Sequence, residues 1–386
     1  MEDCCMLWED FNLKGDPFAV TPSMEKIIWA DREKFLRQLK NAVRHALLST
    51  PSRIIACIWG EWGAGKTHAM TYFSKPEVIK NIIKEMGIPV HLLPISIPIV
   101  FPLDNTLDTM YLEIIEKIGV DTIIKALNKI ESKFASIRSE EAYLAEVSRY
   151  MDPRVAEAFV KLKGKRLVFE RYLSMTATPA ELRNARIARG IYTSTDKVRT
   201  VSGIFNLLTA TIASRVIIWI DDLERIGDRP GKEVFEFQYF IRDLLDYVPN
   251  NLLIIFNMTL LPGEKVEDRL TFLGDAIISR ISDQIMVEPL TKEDFMSYVK
   301  DLLSYFRLKP SEKENEFFPF KKDALELIYS EVKRRQIPLT PRQINQVLSY
   351  ALFQAMNEKG RTDPHITKEF IERQVINSIK IAFPER

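Results

Sequence analysis

One octapeptide, Gly60-Glu61-Trp62-Gly63-Ala64-Gly65-Lys66-Thr67, limits the folds open to this chain more than any other feature. It matches the pattern GxxxxGK[ST], lying directly after the β-branched run Ile54 to Trp59 and at the start of a helical pattern. That is the setting in which the pattern binds phosphate. Glycines let such a loop curl until successive backbone N–H groups face inward, toward phosphate oxygens. The N-terminus of the following helix adds a favourable dipole. In this setting Lys66 reaches the β- and γ-phosphates of a nucleotide, and the Thr67 hydroxyl holds Mg²⁺. The expected nucleotide-binding set is therefore Gly60, Glu61, Trp62, Gly63, Ala64, Gly65, Lys66, Thr67 and His68, with ATP and Mg²⁺ as cofactors.

Four further strand patterns, Val90 to Ile97, Val216 to Ile220, Leu252 to Phe256 and Gln284 to Val287, alternate with amphipathic helical patterns. Near-continuous apolar strands between helices indicate a parallel sheet covered on both faces. Beyond Pro289 only helical periodicity remains, over 97 residues. There Thr291 is placed to cap a helix carrying Phe295, Val299, Leu302, Leu303 and Phe306. Thr340-Pro341-Arg342-Gln343 has a capping-box pattern, followed by the stripe Ile344, Val347, Leu348, Ala351 and Leu352, with Gly360 beyond its end. The expected organisation is an N-terminal segment and helix at 1–52, a nucleotide-binding core at 53–288 with a helical insertion at about 120–200, and a helical domain at 289–386. The chain's 386 residues suffice for this, and its 46% apolar and 28% charged content excludes wholesale disorder.

A nucleotide site of this kind needs a second strand that ends in carboxylates. Val216 to Ile220 is such a strand, running into Asp221-Asp222-Leu223-Glu224. Asp221 is placed to anchor Mg²⁺ through water, and Asp222 to orient or deprotonate the attacking water, with Glu224 as the alternative base. Asn257 closes the next strand and either orients water near the γ-phosphate or is an ordinary strand-end turn former. Arg280 precedes the last strand, where a neighbouring subunit's nucleotide would receive it as an arginine finger, or where it forms a surface ion pair. Arg342, on the first turn of the well-capped helix, is the second arginine placed to read the γ-phosphate, or else a solvated residue of that turn.

Other chemistries find little support. Cys4, Cys5 and Cys57 offer neither a disulfide framework nor metal-ligand spacing, as expected of a reducing, cytoplasmic compartment. His45, His68, His91 and His365 are scattered, and no nucleophile or zinc constellation surrounds them. The first residues are acidic where a secretory signal is basic. Pro94, Pro98 and Pro102 interrupt the most apolar run, so no membrane span is expected.

Together these residues resemble an AAA+ ATPase, in the branch holding origin-recognition initiators, ExeA-type secretion ATPases and transposition-regulator ATPases. The resemblance takes in Phe11-Asn12-Leu13, Asp16-Pro17-Phe18, Thr21-Pro22, the helix opening at Asp31 to Leu36, and both nucleotide motifs. It continues through Ser279-Arg280-Ile281 to Pro289-Leu290-Thr291, and ends in Pro341-Arg342-Gln343-Ile344-Asn345. It implies an α/β fold: a parallel-sheet P-loop NTPase core of AAA+ type, a helical insertion and a C-terminal all-helical lid. It further implies that Ile27 and Ile28 line the adenine pocket, that Asn257 is sensor 1 and Arg342 lies on the sensor-2 helix, and that active assemblies are ring- or filament-like homo-oligomers.

The chain departs from that pattern in two ways. Lys66 and Asp221 lie 155 residues apart, much further than in such relatives, which marks 120–200 as inserted. The chain is also expected to end with the lid, without the winged helix of replication initiators. The signature Asp221-Asp222-Leu223-Glu224-Arg225 also resembles, as the second choice, the KAP and STAND signalling NTPases, in which large insertions between the nucleotide motifs are common.

The net charge of +1 gives no general reason to expect a nucleic-acid partner. Locally the balance is different, because residues 161–200 carry ten Lys and Arg against three acids. Lys163, Lys165, Arg166, Arg183, Arg186 and Arg189 are the expected DNA contacts if that segment meets phosphate; otherwise it is a solvated helical face. Two functions follow: an ATP-dependent oligomeric switch acting on DNA or a DNA-bound protein, or a signalling or scaffold NTPase acting on a protein client.

Overall fold

A computed structural model describes residues 7–20, 27–48, 53–89, 91–133, 139–260, 263–310, 315–358 and 361–377. Thr21, Pro22, Val90, Gly360, Cys4 and Cys5 lie outside the described residues. Five strands, β1 (Arg53–Gly60), β2 (Ile95–Val100), β3 (Val216–Asp221), β4 (Leu252–Thr259) and β5 (Ile281–Val287), form one sheet in the order β2-β3-β4-β1-β5. β3 pairs in parallel with both β2 and β4. β3 is buried along its whole length and β4 over all but its last residue, which is why their sequences are unbroken apolar runs. β5, at the sheet edge, alternates exposed and covered residues.

All five expected strands exist, but the second is displaced. It starts at Ile95 and continues through Pro98 to Val100, where the sequence pattern suggests a strand ending at Ile97. Pro98 pairs with Trp219 in register, and the position is tolerated because β2 is an edge strand and need donate on only one side.

The helices, in chain order, are α1 (Glu33–Leu48), α2 (Lys66–Phe73), α3 (Pro76–Glu85), α4 (Thr106–Ile118), α5 (Val120–Lys133), α6 (Glu140–Val147), α7 (Pro153–Leu162), α8 (Arg166–Leu173), α9 (Pro179–Asn184), α10 (Ser194–Thr211) and α11 (Gly231–Tyr247). After β4 follow α12 (Val266–Leu270), α13 (Asp275–Ile278), α14 (Lys292–Phe306), α15 (Lys322–Arg334), α16 (Pro341–Asn357) and α17 (Lys368–Phe370). The described part of 120–200 is helical, as expected, and six helices pass through it.

The chain groups into two compact units. One holds described residues within 38–59 and 73–285, the other those within 1–37, 60–72 and 286–386. In the first, a single hydrophobic cluster runs from the sheet (Ile55, Ile97, Ile218, Ile254) through α4 and α5 into the inserted helices (Phe159, Phe169, Leu173, Phe205). The insertion is therefore built into the core of its unit. Gly203 on α10 shows how closely: a β-carbon there would collide with the Met151 side chain. Gly203→Ala is expected to destabilise the protein by about 1–2 kcal/mol through overpacking, read by urea unfolding; an unchanged midpoint would mean that this contact yields freely.

In the second unit, α14, α15 and α16 pack with Phe11, Leu13, Phe18 and Ala30 of the N-terminal segment. Thr291 caps α14 by accepting from the Asp294 N–H at 3.1 Å. Thr340 starts α16 differently from the expected capping box. Its hydroxyl donates to Gln343 Oε1 at 2.5 Å and accepts no backbone N–H, so the side-chain pair forms without capping the helix.

Candidate nucleotide-binding residues

The phosphate loop lies in the second unit. Gly60 ends β1, and α2 begins at Lys66. Gly63 (φ +80°) and Gly65 (φ +102°) occupy the left-handed region, where a β-carbon is disfavoured. No described residue lies within 4 Å of the position a Gly65 β-carbon would take, so the described loop keeps open space at that point. Lys66 is buried, its Nζ donating to the carbonyls of Gly60 at 2.9 Å and Glu61 at 3.0 Å. An ammonium drawn into a curled loop with an open left-handed glycine fits a phosphate group, and the exposed Thr67 at the start of α2 is a hard oxygen donor suited to Mg²⁺.

The N-terminal segment of the same unit contacts this loop. His68 Nε2 donates to the Ile28 carbonyl at 2.6 Å, tying α2 to the expected adenine-lining pair, and Ile27 is buried beside it in sequence. Trp29 lies against Phe35, Tyr72 and His68, with ring centroids 5.5, 5.3 and 6.2 Å away. Arg32 was not singled out by sequence reasoning, yet its Nη2 donates to the Ala64 carbonyl at 3.3 Å, inside the loop. Asp31 and Arg32 both adopt positive φ, at 48° and 64°. Burial lowers the Arg32 pKa and raises that of Asp31. Nothing in the local pattern marks two successive left-handed residues, so the signal was absent from sequence.

Arg342 is also brought to the loop. Its N–H points to the Gly63 carbonyl at 3.4 Å, and its guanidinium stands 5.7 Å from the centre of the exposed Trp62 ring. Gly63 packs so tightly on the start of α16 that a β-carbon there would sit 2.6 Å from Arg342 Cβ and 3.0 Å from Thr340 Oγ1.

In the first unit the end of β3 carries the acids. Asp221 and Asn257 are buried, and Asn257 Nδ2 donates to Asp221 Oδ1 at 3.0 Å, so the strand-end asparagine orients the carboxylate. Asp222 leaves the strand with φ +54° and pairs with Arg225 at 2.5 Å. Glu224 accepts the Thr259 N–H at 3.0 Å, an anchor to the end of β4. Arg280 pairs with Asp246 at 3.2 Å, which is the ion-pair arrangement set beside the finger reading above.

The basic segment proves largely compensated. Lys161 pairs with Glu157, Lys163 with Glu131, Arg166 with Asp121 and Glu170, and Arg171 with Glu181. Arg189 pairs with Asp196, Lys197 with Asp108 and Arg199 with Asp152. Lys165, Arg183 and Arg186 make no ion pair among the described residues. Several partners come from α4 to α7, outside the 161–200 window, so the local count of ten against three overstates the field. Among the described residues no helix is long and apolar enough to cross a membrane, and no cluster of three or more His, Cys, Asp or Glu could hold a metal.

The sequence pattern of the KAP family P-loop domain matches residues 32–348. The chain belongs to that family. It is a P-loop NTPase domain, the alternative named beside the AAA+ initiators in the sequence. The structure of Orc1 from Aeropyrum pernix in complex with DNA is similar with a TM-score of 0.53 at 13% identity, covering 96% of this chain and 71% of that one. ORC2 from Aeropyrum pernix, in ADPNP-ADP complexes, is similar with a TM-score of 0.52 at 12% identity, covering 92% and 70%. At these identities the likeness is one of fold. No protein of curated function matches the chain by sequence.

Proposed function

We propose that this KAP domain is an ATP-hydrolysing molecular switch whose nucleotide state is read through α14 to α16. The observation that carries the reading is the contact of Gly63 with the first turn of α16, which joins the phosphate loop to the helical region that would respond to nucleotide. In this reading Lys66 and the loop N–H groups bind the phosphates, Thr67 and Asp221 are the Mg²⁺ groups, and Asn257 holds Asp221 in position. Bound Mg²⁺ would neutralise phosphate charge during hydrolysis. Asp222, which pairs with Arg225, orients or deprotonates the attacking water, and Glu224, which accepts the Thr259 N–H, is the alternative base. Arg342 senses the γ-phosphate. In a homo-oligomer Arg280 would exchange Asp246 for the nucleotide of a neighbouring copy.

The client is proposed to be a protein, because seven of the ten cations in 161–200 already hold carboxylates. The DNA-acting reading rests on the remaining Lys165, Arg183 and Arg186, and on the Aeropyrum pernix Orc1 structure being a DNA complex.

Asp222→Asn is expected to retain ATP binding and to lower phosphate release at least tenfold, about 1.4 kcal/mol in the barrier. Steady-state phosphate release and nucleotide titration measure the two separately. Equal turnover by the wild type would move the base elsewhere. The same assay with a DNA duplex at low salt distinguishes the clients, since a phosphate-backbone contact weakens steeply as salt rises.

A further inference from the structure

A cleft of about 790 Å³ lies within the insertion, in the range of small-molecule sites. Lys161, Lys163, Lys165 and Arg186 line it, with Tyr143. Lys163 is spent on Glu131 at 2.5 Å and stands 5.0 Å from the Tyr143 ring centre, and Lys161 is spent on Glu157. Lys165 and Arg186 have no such partner among the described residues, and both stand where helix physics disfavours them.

Lys165 is the N-cap of α8, and its side chain caps nothing. The first N–H groups of a helix call for Ser, Thr, Asp or Asn, and a cation there opposes the helix dipole. Arg186 follows α9 at φ +56°. Its N–H bonds to the Arg183 carbonyl, and the Ile187 N–H returns to the Leu182 carbonyl, each at 2.9 Å. Glycine is the usual residue at such a helix end. Lys161 Nζ donates to the Arg186 carbonyl at 2.8 Å and holds this left-handed residue at the cleft. Two basic residues thus replace better helix-ending residues on different helices, and both face one cavity. Local rules are broken in this way where function requires it. Glu140 is the lining carboxylate without a basic partner among the described residues, so the unspent charge is positive.

We propose that this cleft binds a compact polyphosphate anion, held by Lys165, Arg186 and the uncapped N–H groups that open α8. The site is separate from the phosphate loop and does not depend on the nucleotide reading. The ligand is either an inorganic polyphosphate or a small phosphorylated metabolite, which share this chemistry.

The test is calorimetric titration of the full chain carrying Lys66→Ala, which silences the phosphate loop, or of the wild type saturated with ADP if that variant does not fold. Tripolyphosphate and a sugar bisphosphate are the small probes, and a 20-base-pair duplex is the third. At least one small probe is expected to bind saturably, its identity naming the source, and Lys165→Ser/Arg186→Gly is expected to weaken it tenfold or more. Because both substitutions restore favoured helix ends, that double variant is expected to melt at or above its parent. Failure of both small probes to bind, or binding untouched by the double variant, overturns the proposal. So does duplex binding alone through these residues, which assigns them to nucleic acid, or a melting temperature well below the parent, which makes them structural.

Discussion

Lys66→Ala is expected to weaken ATP binding at least a hundredfold, about 2.8 kcal/mol at about 1.4 kcal/mol per decade. The ammonium is buried, and it donates to two carbonyls of its own loop, those of Gly60 and Glu61, at 2.9 and 3.0 Å. A buried charge that bonds neutral carbonyls is poised to gain much more from a phosphate, since charge-assisted hydrogen bonds are the strong ones. Removing it also forfeits the two loop bonds, each worth about 1 kcal/mol net. Fold stability should therefore fall only modestly while affinity collapses. Calorimetric titration with ATP, alongside thermal melting, separates these effects; near-native affinity in a folded variant would remove Lys66 from the phosphate site.

Gly63→Ala is expected to lower stability by about 2–4 kcal/mol, from about 1 kcal/mol of left-handed strain and the rest from overpacking. The overlap falls on Arg342 Cβ and Thr340 Oγ1, at the root of α16, where no flexible side-chain end can swing aside. Gly65→Ala is the control. It carries a comparable backbone penalty at φ +102°, yet meets no described residue within 4 Å, so about 1–2 kcal/mol is expected. Urea unfolding of both variants measures the difference. Equal losses would show that the loop and the first turn of α16 part without cost, and would remove the contact on which the switch reading rests.

Much of the fold and site was legible from local pattern. The spacing of glycines and lysine marked the loop, β-branched runs marked five strands, and acids at a strand end marked Asp221 and Asp222. Legibility failed where the decisive partner is remote. The second strand pattern ended at Ile97, and only the sheet order, which places the strand on an edge, explains why it runs on through Pro98. Glu224 stood as the alternative base to Asp222, and only the fold shows that β4 supplies an N–H that holds it. Arg32 lies in the expected helix opening at Asp31 to Leu36, and only the folded unit delivers it, half-buried, to the Ala64 carbonyl.

The basic segment makes the same distinction for function. Its ten cations in forty residues are a sequence fact, but Asp108, Asp121, Glu131, Asp152 and Glu157, which neutralise many of them, lie tens of residues earlier in several cases. The sequence by itself determined the phosphate loop, the parallel sheet and the carboxylate strand, because these depend on residue type at short fixed spacing. Only tertiary structure decided which charges remain unspent, which backbone is strained and which helix meets the loop, because Coulomb attraction and steric contact act through space, whatever the separation along the chain.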